Sequence, residues 1–209
     1  MKERPILFSG AMVRAILEGR KSQTRRLLRV PNHPAVKDWV LDSEFRAAAR
    51  AHSEKVADQY VTTFPFGRVR CPYGQPGDRL WVRETFGRTE GAPRRAGEAP
   101  VEYTYKADQI YALDGYQWKR SIFMPRAACR LVLEVTDVRV ERLREISEED
   151  AEAEGVELEG GAALWPHINR GDKMKSAYRY LWDSLNAKRA PWLSNPWVWV
   201  IEFKKRSER

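Results

Sequence analysis

The sequence predicts an α+β fold whose core is a small barrel or a strongly curved mixed sheet. Three observations lead there. Strand-like segments dominate and helices interrupt them irregularly, so a doubly wound parallel sheet fits poorly. The last strong strand pattern falls almost at the C-terminus, where it is placed to close a barrel with the first strand. No glycine-rich phosphate loop follows any strand, which argues against a dinucleotide-binding or P-loop enzyme. With 209 residues, 43% of them hydrophobic and 32% charged, the chain is expected to form one domain with insertions and a sizeable core.

The elements follow in order. Pro5–Phe8 reads as a short strand, and Ser9 as the N-cap of a helix over 11–18. Met12, Ala15, Ile16 and Leu17 give that helix its apolar stripe, and Gly19 supplies the stop. A basic run follows, Arg20-Lys21-Ser22-Gln23-Thr24-Arg25-Arg26, and Leu27–Val30 predicts a second strand. Residues 31–66 are polar, alanine-rich and edged by prolines. They predict an insertion, with a helix over 43–57, because they carry too few large apolar side chains for a core of their own.

Turn formers crowd residues 72–78, and Arg79–Glu84 reads as a strand with Trp81 and Glu84 on opposite faces. A charged loop is expected over 87–100, and a half-buried strand over 101–106. The alternation Leu131, Leu133, Val135, Val138, Val140 predicts two strands or one long bent one over 128–143. Ser147 then caps an acidic helix that ends at Gly155, and residues 176–187 carry a core-facing helical stripe. Residues 147–190 thus read as a helical insertion before a closing strand at 196–204, all within a single domain spanning 1–209.

Composition narrows the function classes. No window approaches the roughly 18 uninterrupted apolar residues of a spanning helix, so no membrane partner is expected. The opening MKERPILFSG lacks a leader-type apolar region, which predicts a reducing cytoplasm. Two cysteines, Cys71 and Cys129, and three scattered histidines, His33, His52 and His167, predict neither a disulfide framework nor a metal centre, and no cofactor. The net charge of +8 suits anionic partners such as nucleic acid or nucleotides, and it is unevenly spread. Residues 1–30 hold eight Lys/Arg against two Glu, and residues 141–159 hold nine acids against two Arg. Part of the acidic cluster has a local reason, since acids favour the positive end of the helix that Ser147 caps. Five of the eight tryptophans fall between 165 and 199; such rings serve cores more often than base stacking.

Lys21 and Thr24 form the sharpest chemical signal. A hydroxyl three residues after a lysine can share its side of a turn, one geometry for an activated nucleophile. The pattern Gly19-x-Lys21-x-x-Thr24-x-Arg26, with Pro76-Gly77-Asp78-x-Leu80-Trp81-Val82-Arg83-Glu84 downstream, resembles the ASCH-domain family. So does the tail running from Leu133-x-Val135-x-x-Val138 to Ile146-Ser147-Glu148-Glu149-Asp150-Ala151-x-x-Glu154-Gly155, and the end Asn195-Pro196-Trp197-Val198-Trp199 is similar to longer phage and prophage members. The likeness spans most of the chain, least over 31–66 and 87–100. It implies an α+β, PUA-like mixed β-barrel with flanking helices and insertions.

The resemblance also implies an activity. Bacterial members hydrolyse N4-acetylcytidine with a Lys, a Thr and a Glu, which map onto Lys21, Thr24 and Glu84. Arg26, Trp81, Phe8 and Ser9, within or beside these motifs, are the expected substrate contacts. Two routes stay open. Thr24 attacks the acyl carbon while neutral Lys21 takes its proton, or Lys21 and Glu84 activate water directly. Neighbouring arginines or burial would lower the lysine pKa, and a touching Glu84 would raise it. Other members are RNA-binding modules. The alternative is therefore a non-catalytic reader of RNA or modified nucleotides that sets the basic stretch 20–29 against phosphates.

Overall fold

A computed structural model describes residues 1–28, 55–56, 59–64, 67–88, 103–108, 117–156 and 173–206. Its elements are β1 (Glu3–Leu7), α1 (Gly10–Leu17), β2 (Gln23–Leu27), β3 (Lys55–Val56), β4 (Gln59–Phe64), β5 (Gly67–Arg70), β6 (Arg79–Arg83), β7 (Phe86–Arg88), β8 (Tyr103–Tyr105), β9 (Val132–Arg142), α2 (Glu148–Ala153), α3 (Lys173–Asn186) and β10 (Trp197–Lys205). The architecture is mixed α+β, and a five-stranded sheet in the order β1-β6-β9-β10-β2 dominates it. β1 runs parallel to β6, and the other three pairings are antiparallel.

The alternation of side chains explains that order. On β10, Trp197, Trp199, Ile201 and Phe203 pack with Ile6, Leu80, Leu133, Val135 and the α1 residues Val13 and Ile16. Val198 and Val200 point the other way, into a second cluster with Tyr178 and Trp182 of α3, Ala151 of α2, and Leu143, Ile146 and Trp192. A strand buried on both faces reads as a continuous apolar run, and its place is inside the sheet. The last strand is therefore not the closing edge that was expected. It lies between β9 and β2, and the first strand pairs with β6 instead.

The sheet is nonetheless strongly curled. A flat sheet would hold β1 and β2, its two edges, about 19 Å apart at four strand spacings. Yet Arg26 of β2 donates from Nη2 to the Leu7 carbonyl of β1 at 2.7 Å, and its guanidinium lies 5.2 Å from the centre of the Phe8 ring. The edges meet through a side chain rather than through a backbone ladder among the described residues.

Several boundaries also move. β2 begins at Gln23 rather than Leu27, so the basic run is itself strand. β9 is one long strand, with a register break where Glu202 and Phe203 face it. Lys55–Val56, expected at the end of a helix, instead pairs with β4, which pairs with β5 in a separate three-stranded sheet. The rest of the predicted helix over 43–57, with His33, His52, Trp165 and His167, lies outside the described residues. The predicted loop over 87–100 opens as β7, paired with β8. Among the described residues, no helix is long and apolar enough to cross a membrane.

Candidate functional site

The site begins where α1 ends. Ser9 caps α1 by accepting from the Met12 N–H at 3.4 Å. Gly19, at φ +77°, turns the chain back so that the N–H groups of Arg20 and Lys21 both reach the Ala15 carbonyl, at 2.8 and 3.0 Å. On its other side Lys21 forms a β-bridge with Glu154 at the end of α2, and Ser22 donates its N–H to the Ala153 carbonyl at 2.9 Å. Lys21 is thus clamped between two helix ends before β2 starts.

The Lys21 side chain is fully buried. Its amine donates to the Glu154 carbonyl at 2.7 Å and to Glu154 Oε2 at 2.8 Å, and it lies 5.7 Å from the Phe8 ring centre. Burial pushes the amine's pKa below its ordinary value. Glu154 pulls it back part of the way, and the nearby Arg26 and Arg25 charges push it down further.

Gln23 and Arg25 continue on the face of β2 that meets α2. Gln23 donates to the Asp150 carbonyl at 2.6 Å. Arg25 reaches Asp150 Oδ2 at 2.6 Å, Glu141 Oε2 at 3.1 Å and Glu154 Oε1 at 3.4 Å. Arg139 of β9 extends the network to Glu141 and Glu202. Burial works against charge on Asp150, but Arg25 and Arg139 outweigh it and hold that carboxyl below its ordinary pKa.

Thr24 and Arg26 project from the opposite face of β2. Along this edge strand runs a cavity of about 620 Å³. Thr24, Arg25, Arg26, Leu27 and Glu154 line it on the strand side, Met12 and Tyr73 on one rim, and Tyr178, Leu181, Trp182, Leu185, Asn186 and Arg189 on the other. Glu154 therefore shows one side to the cavity while its carboxylate grips Lys21, so the buried amine stands behind the wall that Thr24 shares.

Of the residues expected from sequence, Lys21 and Arg26 meet at the Phe8 ring, and Thr24 lines the cavity with Arg26. Phe8 is buried; its ring contacts Lys21 and Arg26 and packs 6.1 Å from that of Phe203. Of the expected site residues, Thr24 and Arg26 line the cavity, whereas Lys21, Phe8, Glu84, Trp81 and Ser9 are not in its lining. Glu84 follows β6 on its inward face, with Leu80 and Val82, and is only 1% exposed. Arg130 grips both of its oxygens, Nε to Oε1 at 2.9 Å and Nη2 to Oε2 at 3.0 Å, so its carboxylate is already spoken for. Trp81 points out of the opposite face, with the guanidinium of Arg83 at 5.3 Å from its ring centre. Ser9 is occupied as a helix cap.

The carboxylate that touches Lys21 is Glu154, which the sequence places at the end of an acidic helix and in the family-like tail but not among the expected site residues. The signal was present in the charge asymmetry: the acidic segment supplies partners for the basic one. Within the basic stretch 20–29 the same pairing takes Lys21 and Arg25 out of reach of phosphates, because both are buried and committed to carboxylates. Among the described residues no group of three or more metal-ligating side chains occurs. No family model, curated protein or solved structure matches this chain.

Proposed function

We propose that the protein is an amidohydrolase that removes acyl groups from the exocyclic N4 amine of cytosine nucleosides, on a PUA-like plan of the ASCH type. The observation that carries this reading is the Lys21 amine, buried and lowered in pKa beside the strand that presents Thr24 to a cavity. At its ordinary pKa a lysine is protonated at neutral pH and is a poor base; burial shifts it toward the neutral form a base requires.

In this reading the Thr24 hydroxyl attacks the acyl carbon and passes its proton to Lys21 Nζ. The C–N4 bond breaks as Lys21 returns that proton to the departing cytosine amine. Water then hydrolyses the acyl-threonine ester, its proton again taken by Lys21, to release a carboxylic acid and regenerate the hydroxyl. Glu154 orients the amine, accepting from it with its carbonyl and with Oε2. Glu84 then braces the neighbouring end of β6, where Phe8 donates its N–H to the Arg83 carbonyl at 3.2 Å.

The test is incubation with N4-acetylcytidine, following cytidine and acetate by chromatography. Equimolar release of both, abolished by Thr24→Ala, is the expected result. No release above the uncatalysed rate with folded protein would overturn the reading.

A further inference from the structure

The charges around the cavity bear on what the ligand carries. Arg25 is neutralised by Asp150, Glu141 and Glu154, and Glu154 is also matched by Lys21. Arg26 and Arg189 differ. Among the described residues neither meets a carboxylate: Arg26 donates only to the Leu7 carbonyl, and its Nε is buried with no partner. Arg189, just past α3, is exposed on the far rim.

The backbone bears on what shape it has. Leu28 donates its N–H to the Trp197 carbonyl and Phe203 to the Ser22 carbonyl, so the even-numbered residues of β2 bond inward to β10. By alternation the N–H and C=O groups of Arg25 and Leu27 point outward, and both residues line the cavity. No other strand pairs with that edge among the described residues. A row of backbone donors and acceptors beside Tyr73, Tyr178 and Leu181 suits the edge and faces of a flat heterocycle. The volume lies within the range of about 300–1,000 Å³ usual for small-molecule sites.

We infer that the cavity takes a phosphorylated cytidine, its base along the free edge of β2 and its phosphate between Arg189 and Arg26. This rests on the amidohydrolase reading only for the identity of the base. The phosphate comes from a free nucleotide or from an RNA strand, and both share this chemistry.

The experiment is calorimetric titration of the full chain with cytidine, cytidine 5′-monophosphate and a short single-stranded oligocytidylate. The monophosphate is expected to bind at least about tenfold more tightly than cytidine, an advantage that shrinks between about 50 and 200 mM salt. Arg189→Ala should bring the ratio of the two affinities close to one, and Arg189→Lys, which keeps the charge, should preserve part of it. An oligonucleotide tighter than the monophosphate identifies RNA as the source, and equal or weaker binding identifies the free nucleotide. Equal affinity for cytidine and its monophosphate, or a ratio that survives Arg189→Ala, would overturn the inference. Hydrolysis of acetylcytidine without a phosphate advantage sinks this inference alone, and a phosphate advantage without hydrolysis sinks the catalytic reading alone.

Discussion

A lysine amine with no exposed surface is costly, and Lys21 is tolerated because Glu154 gives it both a carboxylate and a carbonyl. The lowered pKa has a consequence for stability that needs no substrate. When the folded pKa lies below the ordinary 10.5, the unfolded chain binds more protons between the two values. Stability therefore rises with pH across that window: the contribution is full above the ordinary value and is lost as pH falls through the folded one. Urea unfolding of wild type and Lys21→Met, compared at steps from about pH 7 to pH 10.5, should show the wild type gaining on the variant as pH rises. Taking the difference cancels Cys71, whose burial pushes its thiol up to about 11, and Tyr178, raised by burial as well. A constant difference would mean an unshifted amine, and the base assignment would fall with it. For turnover, Thr24→Ala should cost more than tenfold, above about 1.4 kcal/mol, while Thr24→Ser keeps a measurable rate. A Thr24→Ala variant that retains more than a tenth of the wild-type rate on N4-acetylcytidine would favour direct attack by water over the proposed acyl-threonine.

The short helix α2 matters to the site through its ends. Ser147 accepts from the Asp150 N–H at 3.0 Å to start it, and Glu148 accepts from the N–H groups of Met174 and Lys175 at 2.8 and 3.2 Å, tying it to the first turn of α3. At the other end Gly155 has φ +74°, and a Cβ there would stand 2.8 Å from Ala15 Cβ and 2.8 Å from Lys21 Cβ. Gly19 has nearly the same backbone, φ +77°, but a Cβ there meets nothing within 4 Å. The two glycines separate strain from contact. Gly19→Ala should cost only the left-handed conformation, about 1–2 kcal/mol. Gly155→Ala adds overpacking against α1 and Lys21, bringing the loss to roughly 2–5 kcal/mol and displacing the amine from Glu154. Denaturant midpoints measure the first difference, and the turnover of the Gly155→Ala protein measures the second. Equal losses at the two positions would show that the close approach of α1 and α2 is not as described.

At the scale of the whole molecule, what was legible in the sequence was whatever one segment decides alone. The Ser9 and Ser147 caps, the two glycine stops and the apolar alternation of β9 and β10 depend on near neighbours. Lys21 and Thr24 were visible because they sit three residues apart. What escaped needs the far end of the chain: Glu154 meets Lys21 across 133 positions, and β2 starts early because Arg25 finds carboxylates 116 to 129 positions away. The place of β10 inside the sheet escaped for a different reason, since a run buried on both faces does not say which strands flank it. The curl that brings β1 to β2 also depends on a distant partner, and Arg26 is the side chain that records it. Replacing it as Arg26→Met keeps an apolar stem over Phe8 but removes the donor to the Leu7 carbonyl. A hydrogen bond of this kind contributes about 1 kcal/mol net, so opening of the β1 end should become roughly five- to tenfold more frequent. Amide exchange should accelerate by that factor at Phe8, whose N–H bonds to Arg83, while the amides shared by β9 and β10 keep their protection. Uniform acceleration across all five strands would instead make Arg26 a contributor to global stability, and the curl would owe its closure to the core packing around Phe8 and Phe203.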